Sequence, residues 1–139
     1  MRQHKKDTIY MQMAADQSKL ATCPRASVGA LILSPGGRVI STGYNGAPPG
    51  HAHCNPCVMI DGHCVNATHA EMNAILHAGA DLKGCTLYVT HFPCLHCSRA
   101  IAQVGIRRVV YLREYRSDDR PVDFLEGIEV ERLKLELMG

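Results

Sequence analysis

The sequence predicts an α/β fold in which one mixed sheet is covered by helices on both faces. Two patterns carry this prediction: two strand-like segments joined by a Pro-Gly-Gly turn at 35–37, and an alternation of helical and strand-like segments from 69 to 112. Helices that alternate with strands pack on the faces of the sheet that they connect. The chain has 139 residues, 46% hydrophobic and 20% charged, which suits one globular core. We therefore expect residues 1–139 to form a single domain.

The first half of the chain is expected to form a helix and then a hairpin. Residues 5–21 show helical spacing, and three apolar residues define the face that we expect to be buried: Ile9, Met13 and Leu20. The continuous apolar run at 28–33 is typical of a buried strand, and 38–42 supplies its partner. Residues 43–67 are rich in Gly, Pro, His and Cys, so we expect a long irregular segment, which in a compact domain usually has a function.

The second half alternates between helices and strands. Residues 69–80 are expected to form a helix with one apolar face: Met72, Ile75, Leu76 and Gly79. A strand at 85–90 follows, and the next helix begins only after Pro93, because proline is tolerated in the first turn of a helix but not in its interior. Strands at 108–112 and 128–132 come last, with a turn at 118–119 and a short helix between them.

Composition excludes several classes of function. A net charge of +2 does not favour nucleic-acid binding that ignores sequence, which needs a basic stripe against many phosphates. The longest apolar run, 28–33, is too short to span a bilayer, and polar residues interrupt any signal-peptide core within 1–19. We expect a cytoplasmic protein with neither a membrane nor a nucleic acid as partner. In a reducing compartment, seven cysteines and eight histidines indicate metal ligands or packed thiols rather than disulfides.

His69, Cys94 and Cys97 have the spacing of a catalytic zinc site. His69 begins one predicted helix, and the two thiols begin the next, where i, i+3 spacing places them on the buried stripe with Ile101 and Val104. One nitrogen and two sulfurs leave the fourth tetrahedral position of zinc open for water. Helix N-termini also favour thiolate over thiol. The alternative is a structural zinc, or packed thiols without metal.

Glu71 is expected to move protons rather than bind the metal. It lies two residues from His69, about 200° around a helix, so both side chains cannot grip one ion from the same stripe. The pattern His-x-Glu with Pro-Cys-x-x-Cys is the signature of zinc deaminases, whose glutamate carries protons between water, ring nitrogen and leaving amino group. His96, between the two thiols, is expected to face solvent.

Three motifs resemble the deoxycytidylate branch of the cytidine and deoxycytidylate deaminase family: HAEMNAI at 69–75, HFPCLHC at 91–97 and GYNGAPPG at 43–50. The resemblance extends from about residue 8 to about residue 130. It implies a three-layer α-β-α fold with a five-stranded mixed sheet, and conversion of dCMP to dUMP and ammonia for thymidylate synthesis. It also implies a hexamer activated by dCTP and inhibited by dTTP, with Mg²⁺ accompanying the regulatory nucleotide.

Nucleotide contacts are expected from three segments. Asn45 stands on a tight turn between Gly43 and Gly46, where its amide could bond a sugar hydroxyl or base edge; simple turn chemistry is the alternative. By resemblance, the same three residues border the regulatory nucleotide. Cationic and hydroxyl donors for a phosphate are expected from the segment before the first strand and the loop after 108–112: Arg25, Ser27 and Tyr115. Solvated surface residues are the alternative there.

The remaining cysteines suggest a second, structural zinc. Cys54 and Cys57 form another Cys-x-x-Cys pair, Cys64 follows seven residues later, and Cys23 ends the first predicted helix. Four thiols would make a closed site able to hold the irregular segment in place. By resemblance, Cys23 and Cys54 match ligand positions of a second zinc. Cys57 and Cys64 are inferred from proximity, with His63 or His53 as substitutes, and free buried thiols are the alternative.

Two other functions compete with this interpretation. A deaminase acting on tRNA or single-stranded nucleic acid would need basic and aromatic residues along a groove, whereas this chain has five tyrosines, two phenylalanines and no tryptophan. A non-catalytic zinc-binding module would use all its metal structurally and would not need Glu71.

Overall fold

A computed structural model describes residues 1–23, 26–53, 58–60, 63–64, 66–114 and 120–134, with 63–64 described by backbone alone. Its elements, in chain order, are α1 (Arg2–Ser18), β1 (Gly29–Leu33), β2 (Val39–Tyr44), β3 (Met59–Ile60), β4 (His63–Cys64), α2 (Ala70–Leu76), β5 (Thr86–His91), α3 (Leu95–Gln103), β6 (Arg108–Arg113), α4 (Pro121–Phe124) and β7 (Glu129–Arg132).

Five strands form one mixed sheet in the order β2-β1-β5-β6-β7. The β1–β2 hairpin is antiparallel, and β1 also pairs antiparallel with β5. The pairs β5–β6 and β6–β7 are parallel, so each needs a crossover, which α3 and α4 supply. The carboxyl ends of β5 and β6 therefore meet at one edge, and α3 begins there. This arrangement confirms the predicted single mixed sheet.

The core consists of two apolar layers, one on each face of the sheet. Successive strand residues face opposite sides. One face packs against α2, α3 and α4 through a cluster that includes Ala30, Ile32, Ala70, Ala74, Leu87, Val89, Ile101, Val109 and Leu125. The other face packs against α1 through Met11, Ala14, Leu31, Leu33, Tyr88, Val110 and Leu133. Helices thus cover both faces, which confirms the three-layer α-β-α architecture.

The predicted buried face of α1 is wrong. Ile9 and Leu20 are more than half exposed and Met13 is also exposed; the buried residues of the helix are Asp7, Met11 and Ala14. The prediction took the stripe with the most apolar residues as the buried one. The stripe that is buried contains a charged side chain, Asp7, which Arg108 of the sheet neutralises. The helix also begins and ends three residues earlier than predicted.

The predicted face of the second helix is only partly correct. Met72 and Ile75 are half-buried, but Leu76 and Gly79 are exposed, because α2 ends at Leu76 and its inward stripe is Ala70, Glu71 and Ala74. By contrast, α3 buries Cys97 and Ile101 as predicted, with Cys94 and Val104 half-buried at its ends.

The segment at 43–67 is less irregular than predicted. Within its described part, β3 and β4 form a small antiparallel hairpin. The backbones of Gly46 and Thr68 bridge each other at the base of the segment, with N–H to carbonyl distances of 3.1 and 2.7 Å. This bridge returns the chain to the residue before His69, so the segment leaves the sheet and rejoins it beside the start of α2. Along the described ranges, no helix combines the length and hydropathy needed to cross a membrane.

Candidate active site and metal centre

His69, Cys94 and Cys97 meet at the N-termini of α2 and α3. His69 is the N-cap of α2 and Cys94 the N-cap of α3; both have extended backbone that turns into the helix. Cys97 lies one turn into α3 and is fully buried. Since β5 leads directly into α3, the sheet fixes the position of both thiols, and the packing of α2 on the same face brings the imidazole to them.

The distances between the three donor atoms suit one zinc ion. His69 Nδ1 lies 3.4 Å from Cys94 Sγ and 3.3 Å from Cys97 Sγ, and all three donor atoms lie within 4.8 Å of one another. Zn–S and Zn–N bonds of about 2.3 and 2.0 Å at tetrahedral angles would separate nitrogen from sulfur by about 3.5 Å. Among the described residues, no other group of three or more His, Cys, Asp or Glu side chains lies close enough together to share an ion. The three residues therefore fit a zinc ion with one position left open.

The two thiols differ in proton affinity as neighbouring ligands do. The pKa of Cys94 is lowered to about 3, first by a hydrogen bond from Cys97 and also by His69. The pKa of Cys97 is raised, first by that same hydrogen bond and then by burial. Because zinc binds thiolates rather than thiols, a cation held by these two residues would favour the deprotonated form of both.

Glu71 lies in the first turn of α2, beside the metal site but outside its set of ligands. Its side chain is buried, and burial raises its pKa; its own backbone N–H, His69 and the Cys97 thiol act in the opposite direction. The carboxyl group thus reaches the ligand cluster and has the raised proton affinity that general acid–base catalysis uses. Glu71 therefore lies beside the ligands, and its part in moving protons stays a prediction.

Asn45 is buried and is bonded to the segment where phosphate contacts are expected. Its Nδ2 donates to the carbonyl of Ala26 at 2.7 Å, and its Oδ1 accepts from the N–H of Val28 at 2.7 Å. The asparagine therefore shapes the backbone around Ser27, whose own side chain is exposed. Arg25 and Tyr115 lie outside the described residues.

Gly43 lies within β2 and Gly46 in the bridge to Thr68, so the tight turn predicted at Asn45 is wrong, and both glycines lie in close contact with neighbouring groups. A Cβ on Gly43 would lie 2.3 Å from the carbonyl oxygen of Ala70, so α2 rests directly on β2 there. A Cβ on Gly46 would lie 2.2 Å from the Thr22 hydroxyl. The backbone contact gives a structural reason for the glycine at 43, whereas at 46 a rotation of the Thr22 side chain would make room for a Cβ. The expected part of both glycines in a regulatory site stays a prediction.

The expected second metal site is only partly within the described chain. Cys23 is buried, and the preceding Thr22 donates its N–H to the carbonyl of Asn45 at 3.1 Å, next to the base of the irregular segment. Cys54 and Cys57 lie outside the described residues, and Cys64 and His63 are described by backbone alone. His53 is exposed. Among the described cysteines, Cys23, Cys85, Cys94 and Cys97 form no disulfide.

Two polar residues near the site, Asn73 and Thr90, are not among those predicted from the sequence. Asn73, in α2, donates from Nδ2 to the carbonyl of Tyr44 at 2.7 Å. Thr90, buried at the end of β5, accepts from the N–H of Gly29 and contacts His91 Nδ1. Asparagine is a poor helix former, and its place inside a predicted helix was the available signal for Asn73. His96, as predicted, is exposed; it lies beside Arg99.

Comparison with known proteins agrees with this geometry. The sequence profile of the cytidine and deoxycytidylate deaminase zinc-binding region matches residues 4–113. ComE operon protein 2 of Bacillus subtilis is 43% identical over 85% of this chain and 66% of its own length. Deoxycytidylate deaminase of Mycobacterium phage D29 is 42% identical over 78% of this chain and 94% of its own. The chain spans two thirds or less of some relatives, including 42% of the Schizosaccharomyces pombe deoxycytidylate deaminase.

A solved structure resembles the fold as well as the sequence. The dCMP deaminase of cyanophage S-TIM5, determined in complex with dCMP and dUMP, superposes with a TM-score of 0.78 at 37% identity, over 89% of this chain and 93% of that one. The profile match includes His69, Glu71, Cys94 and Cys97. By its sequence, its fold and its His-Cys-Cys centre, the chain belongs to the cytidine and deoxycytidylate deaminase family.

Proposed function

We propose that the protein hydrolyses dCMP to dUMP and ammonia with the aid of one zinc ion. The observation that carries this proposal is the buried Glu71 beside three side chains that fit a zinc ion with an open position. The choice of dCMP is supported by the relatives named deoxycytidylate deaminase and by the similar cyanophage enzyme that binds dCMP and dUMP. The GYNGAPPG segment supports the same choice.

His69, Cys94 and Cys97 would hold the zinc, and Glu71 would move the protons. When bound, the ion would act as a Lewis acid that makes a water molecule acidic near neutral pH. Glu71 would take one proton from the attacking water and pass it to N3 of the cytosine ring, while the water oxygen bonds to C4. It would then carry the remaining proton of the new C4 hydroxyl to the 4-amino group. The C4–N bond breaks, ammonia leaves and a C4 carbonyl remains, so atoms and charge balance.

Substrate contacts are proposed for the segment that Asn45 organises. Asn45 would contact the sugar or base, and Arg25, Ser27 and Tyr115 would contact the phosphate. Ser27 supports this assignment because it lies, exposed, between the two backbone groups that Asn45 holds. A phosphate there would receive hydroxyl and guanidinium donors.

A panel of substrates tests this proposal. Purified protein is incubated with cytosine, deoxycytidine, dCMP and dCTP while ammonia release is followed. We expect kcat/KM to be highest for dCMP, because charge-assisted hydrogen bonds to the phosphate add binding that a nucleoside lacks. Equal rates on all four compounds would contradict the phosphate contacts, and no release from any of them would contradict the deaminase.

We also propose a structural zinc held by Cys23, Cys54, Cys57 and Cys64, with His63 or His53 as a substitute ligand. Support comes from buried Cys23, which is adjacent to Thr22, the residue bonded to Asn45 at the base of the irregular segment. Metal analysis should give two zinc ions per chain, and one in Cys23→Ser. A single zinc in the wild-type protein would rule this site out.

The regulatory properties follow from the family resemblance. We propose activation by dCTP, accompanied by Mg²⁺, inhibition by dTTP through the segment containing Gly43, Asn45 and Gly46, and a cytoplasmic hexamer. Rate curves against dCMP should lose their sigmoidal shape when dCTP is added and regain it with dTTP, while sedimentation gives six chains. Hyperbolic curves that neither nucleotide changes would contradict the regulation.

A further inference from the structure

Asn73 connects the helix of the active site to the end of strand β2. It lies in α2 two residues after Glu71, and its Nδ2 donates to the carbonyl of Tyr44 at 2.7 Å. Tyr44 is the last residue of β2 and precedes Asn45. An interaction that begins in the catalytic helix therefore ends at the backbone of the GYNGAPPG segment.

The connection continues from Asn45 into a second segment. The Asn45 amide holds the carbonyl of Ala26 and the N–H of Val28, each at 2.7 Å. The carbonyl of Asn45 accepts from the N–H of Thr22 at 3.1 Å. Asn45 is thus bonded to Thr22 through its backbone and to residues 26–28 through its side chain. Its own backbone position depends on the preceding residue, Tyr44.

The surrounding packing leaves little freedom at this junction. Helix α2 rests on β2 at Gly43, where a Cβ would lie 2.3 Å from the carbonyl oxygen of Ala70 and 2.7 Å from the N–H nitrogen of Ala74. The contact fixes the distance between helix and strand, while the hydrogen bond from Asn73 fixes the direction in which the chain leaves the strand. An apolar residue at position 73 would preserve the first and lose the second.

We propose that Asn73 is a positioning residue for the deamination: it aligns the backbone at Tyr44 and Asn45, and through it residues 26–28, with the helix that carries Glu71. The inference rests on the proposed function, since it supposes that residues 26–28 and Asn45 contact the nucleotide. Misplacing a substrate by about 1 Å costs as much as a hundredfold in rate. Asn73 touches neither metal nor substrate in this account; it acts through Asn45.

The test compares Asn73→Leu with wild type on dCMP and on deoxycytidine. The leucine has similar size but lacks the donor. We expect zinc content to be unchanged and kcat/KM for dCMP to fall at least about tenfold, with a smaller fall for deoxycytidine, which lacks the phosphate. Leu76→Ala, on the exposed side of the same helix, is the matched control and should retain wild-type kinetics. If Asn73→Leu does not fold, Asn73→Asp removes the donor with less change in shape.

Two further measurements separate positioning from simple stabilisation. Asn45→Ala combined with Asn73→Leu should lose little more activity than Asn45→Ala alone, because both act through one connection. The Val28 amide should exchange faster with solvent in Asn73→Leu, because Asn45 is no longer fixed. Wild-type kinetics in Asn73→Leu, or additive losses, would overturn the inference. If the wild-type protein does not deaminate dCMP, the proposed function fails, but the connection through Asn45 can still be tested by amide exchange. Faster exchange of the Val28 amide in Asn73→Leu than in wild type would then support the connection, and unchanged exchange would refute it.

Discussion

Asp7 and Arg108 form a buried ion pair between α1 and the first residue of strand β6. Arg108 Nη1 and Nη2 donate to the two carboxylate oxygens of Asp7 at 2.7 and 2.8 Å, and the Tyr88 hydroxyl donates to the same carboxylate at 2.7 Å. Arg108 also contacts Glu131 of the edge strand β7. Burial alone would raise the pKa of Asp7, but the bonds from Arg108, Tyr88 and Gln3 together lower it. The charge on Asp7 therefore stabilises the folded state.

The sign of the pH dependence follows from this lowered pKa. Asp7 contributes stability above its unfolded pKa, about 3.9, and loses that contribution as the pH falls through the lower folded value. We expect the urea concentration at the unfolding midpoint of the wild type to decrease once the pH is lowered below about 4. At pH 7 the midpoint of Asp7→Asn should be lower than that of the wild type, but it should change less between pH 5 and pH 3. Asp16→Asn, at an exposed pair with Lys19, is the matched control and should follow the wild type. Parallel curves for Asp7→Asn and wild type would contradict this account.

Individual residues were predictable where their chemistry is local. His69, Cys94, Cys97 and Glu71 are recognisable because ligand and proton-transfer groups recur at fixed spacing near helix starts. The partner of Asn73 was not predictable, because it is a backbone carbonyl 29 residues away, and backbone groups carry no signal in sequence. The partner of Asp7 is a side chain, Arg108, but it lies 101 residues away, and no local spacing relates two residues so far apart.

At the scale of elements, two glycines allow helices to rest on opposite faces of the β hairpin. A Cβ on Gly29 would lie 1.8 Å from the carbonyl oxygen of Ala14 in α1, and one on Gly43 lies similarly close to α2. Both clashes involve backbone, so a whole helix must move to relieve them. Overpacking of this kind costs about 1–3 kcal/mol or more.

The two glycines should nevertheless differ in their effect on activity. Gly29→Ala displaces α1, which carries no active-site residue, so the free energy of unfolding should fall while kcat of the folded fraction is retained. Gly43→Ala displaces α2, which carries Glu71, so both quantities should fall. Gly36→Ala is the control, since its nearest neighbour would be 3.8 Å away. Chemical denaturation and ammonia release measure the two effects; full kcat in Gly43→Ala would show that the helix position does not matter.

Elements were easier to predict than the faces they bury. The apolar run at 28–33 became β1 with a shift of one residue, because strands buried on both sides are almost wholly apolar. The strand predicted at 108–112 became β6, which is one residue longer. The face of α1 was wrong, since the charged Asp7 lies inside and the apolar Ile9 outside. Burial of the Asp7 carboxylate is favourable only because Arg108, which is distant in sequence, lies next to it in the fold.

At the scale of the whole molecule, the metal would join elements that the chain keeps apart. His69 and the pair Cys94 and Cys97 lie at the starts of different helices, so an ion bound by all three would hold the start of α2 against the start of α3. A ligand that binds only the folded state stabilises it, by about 4 kcal/mol when present at a thousand times its dissociation constant. Metal should therefore contribute to folding as well as to chemistry.

Removal of zinc tests this contribution. We expect a strong chelator to lower the thermal midpoint of the wild-type protein and to release zinc, and added zinc to restore both. Cys97→Ala should start with the lower midpoint and respond less to chelator. Cys85→Ala, which removes a buried cysteine outside the site, should keep the wild-type response. A midpoint that is independent of chelator, despite loss of zinc, would contradict a role in stability.

The topology was predictable as a class but not in detail. Alternating helices and strands after a hairpin indicated one mixed sheet, as found. The strand order, with β1 between β2 and β5, depends on long-range pairing that no local pattern contains. The β3–β4 hairpin was missed because two-residue strands carry too little periodicity to detect.

The most direct test of the central claim is the exchange of Glu71 for glutamine. Glutamine keeps the size of the side chain but cannot carry protons. We expect Glu71→Gln to retain its zinc and its thermal midpoint, and to form dUMP from dCMP about 10²- to 10⁴-fold more slowly than wild type. Near-wild-type formation of dUMP with zinc still bound would contradict the assignment of Glu71 and the mechanism built on it.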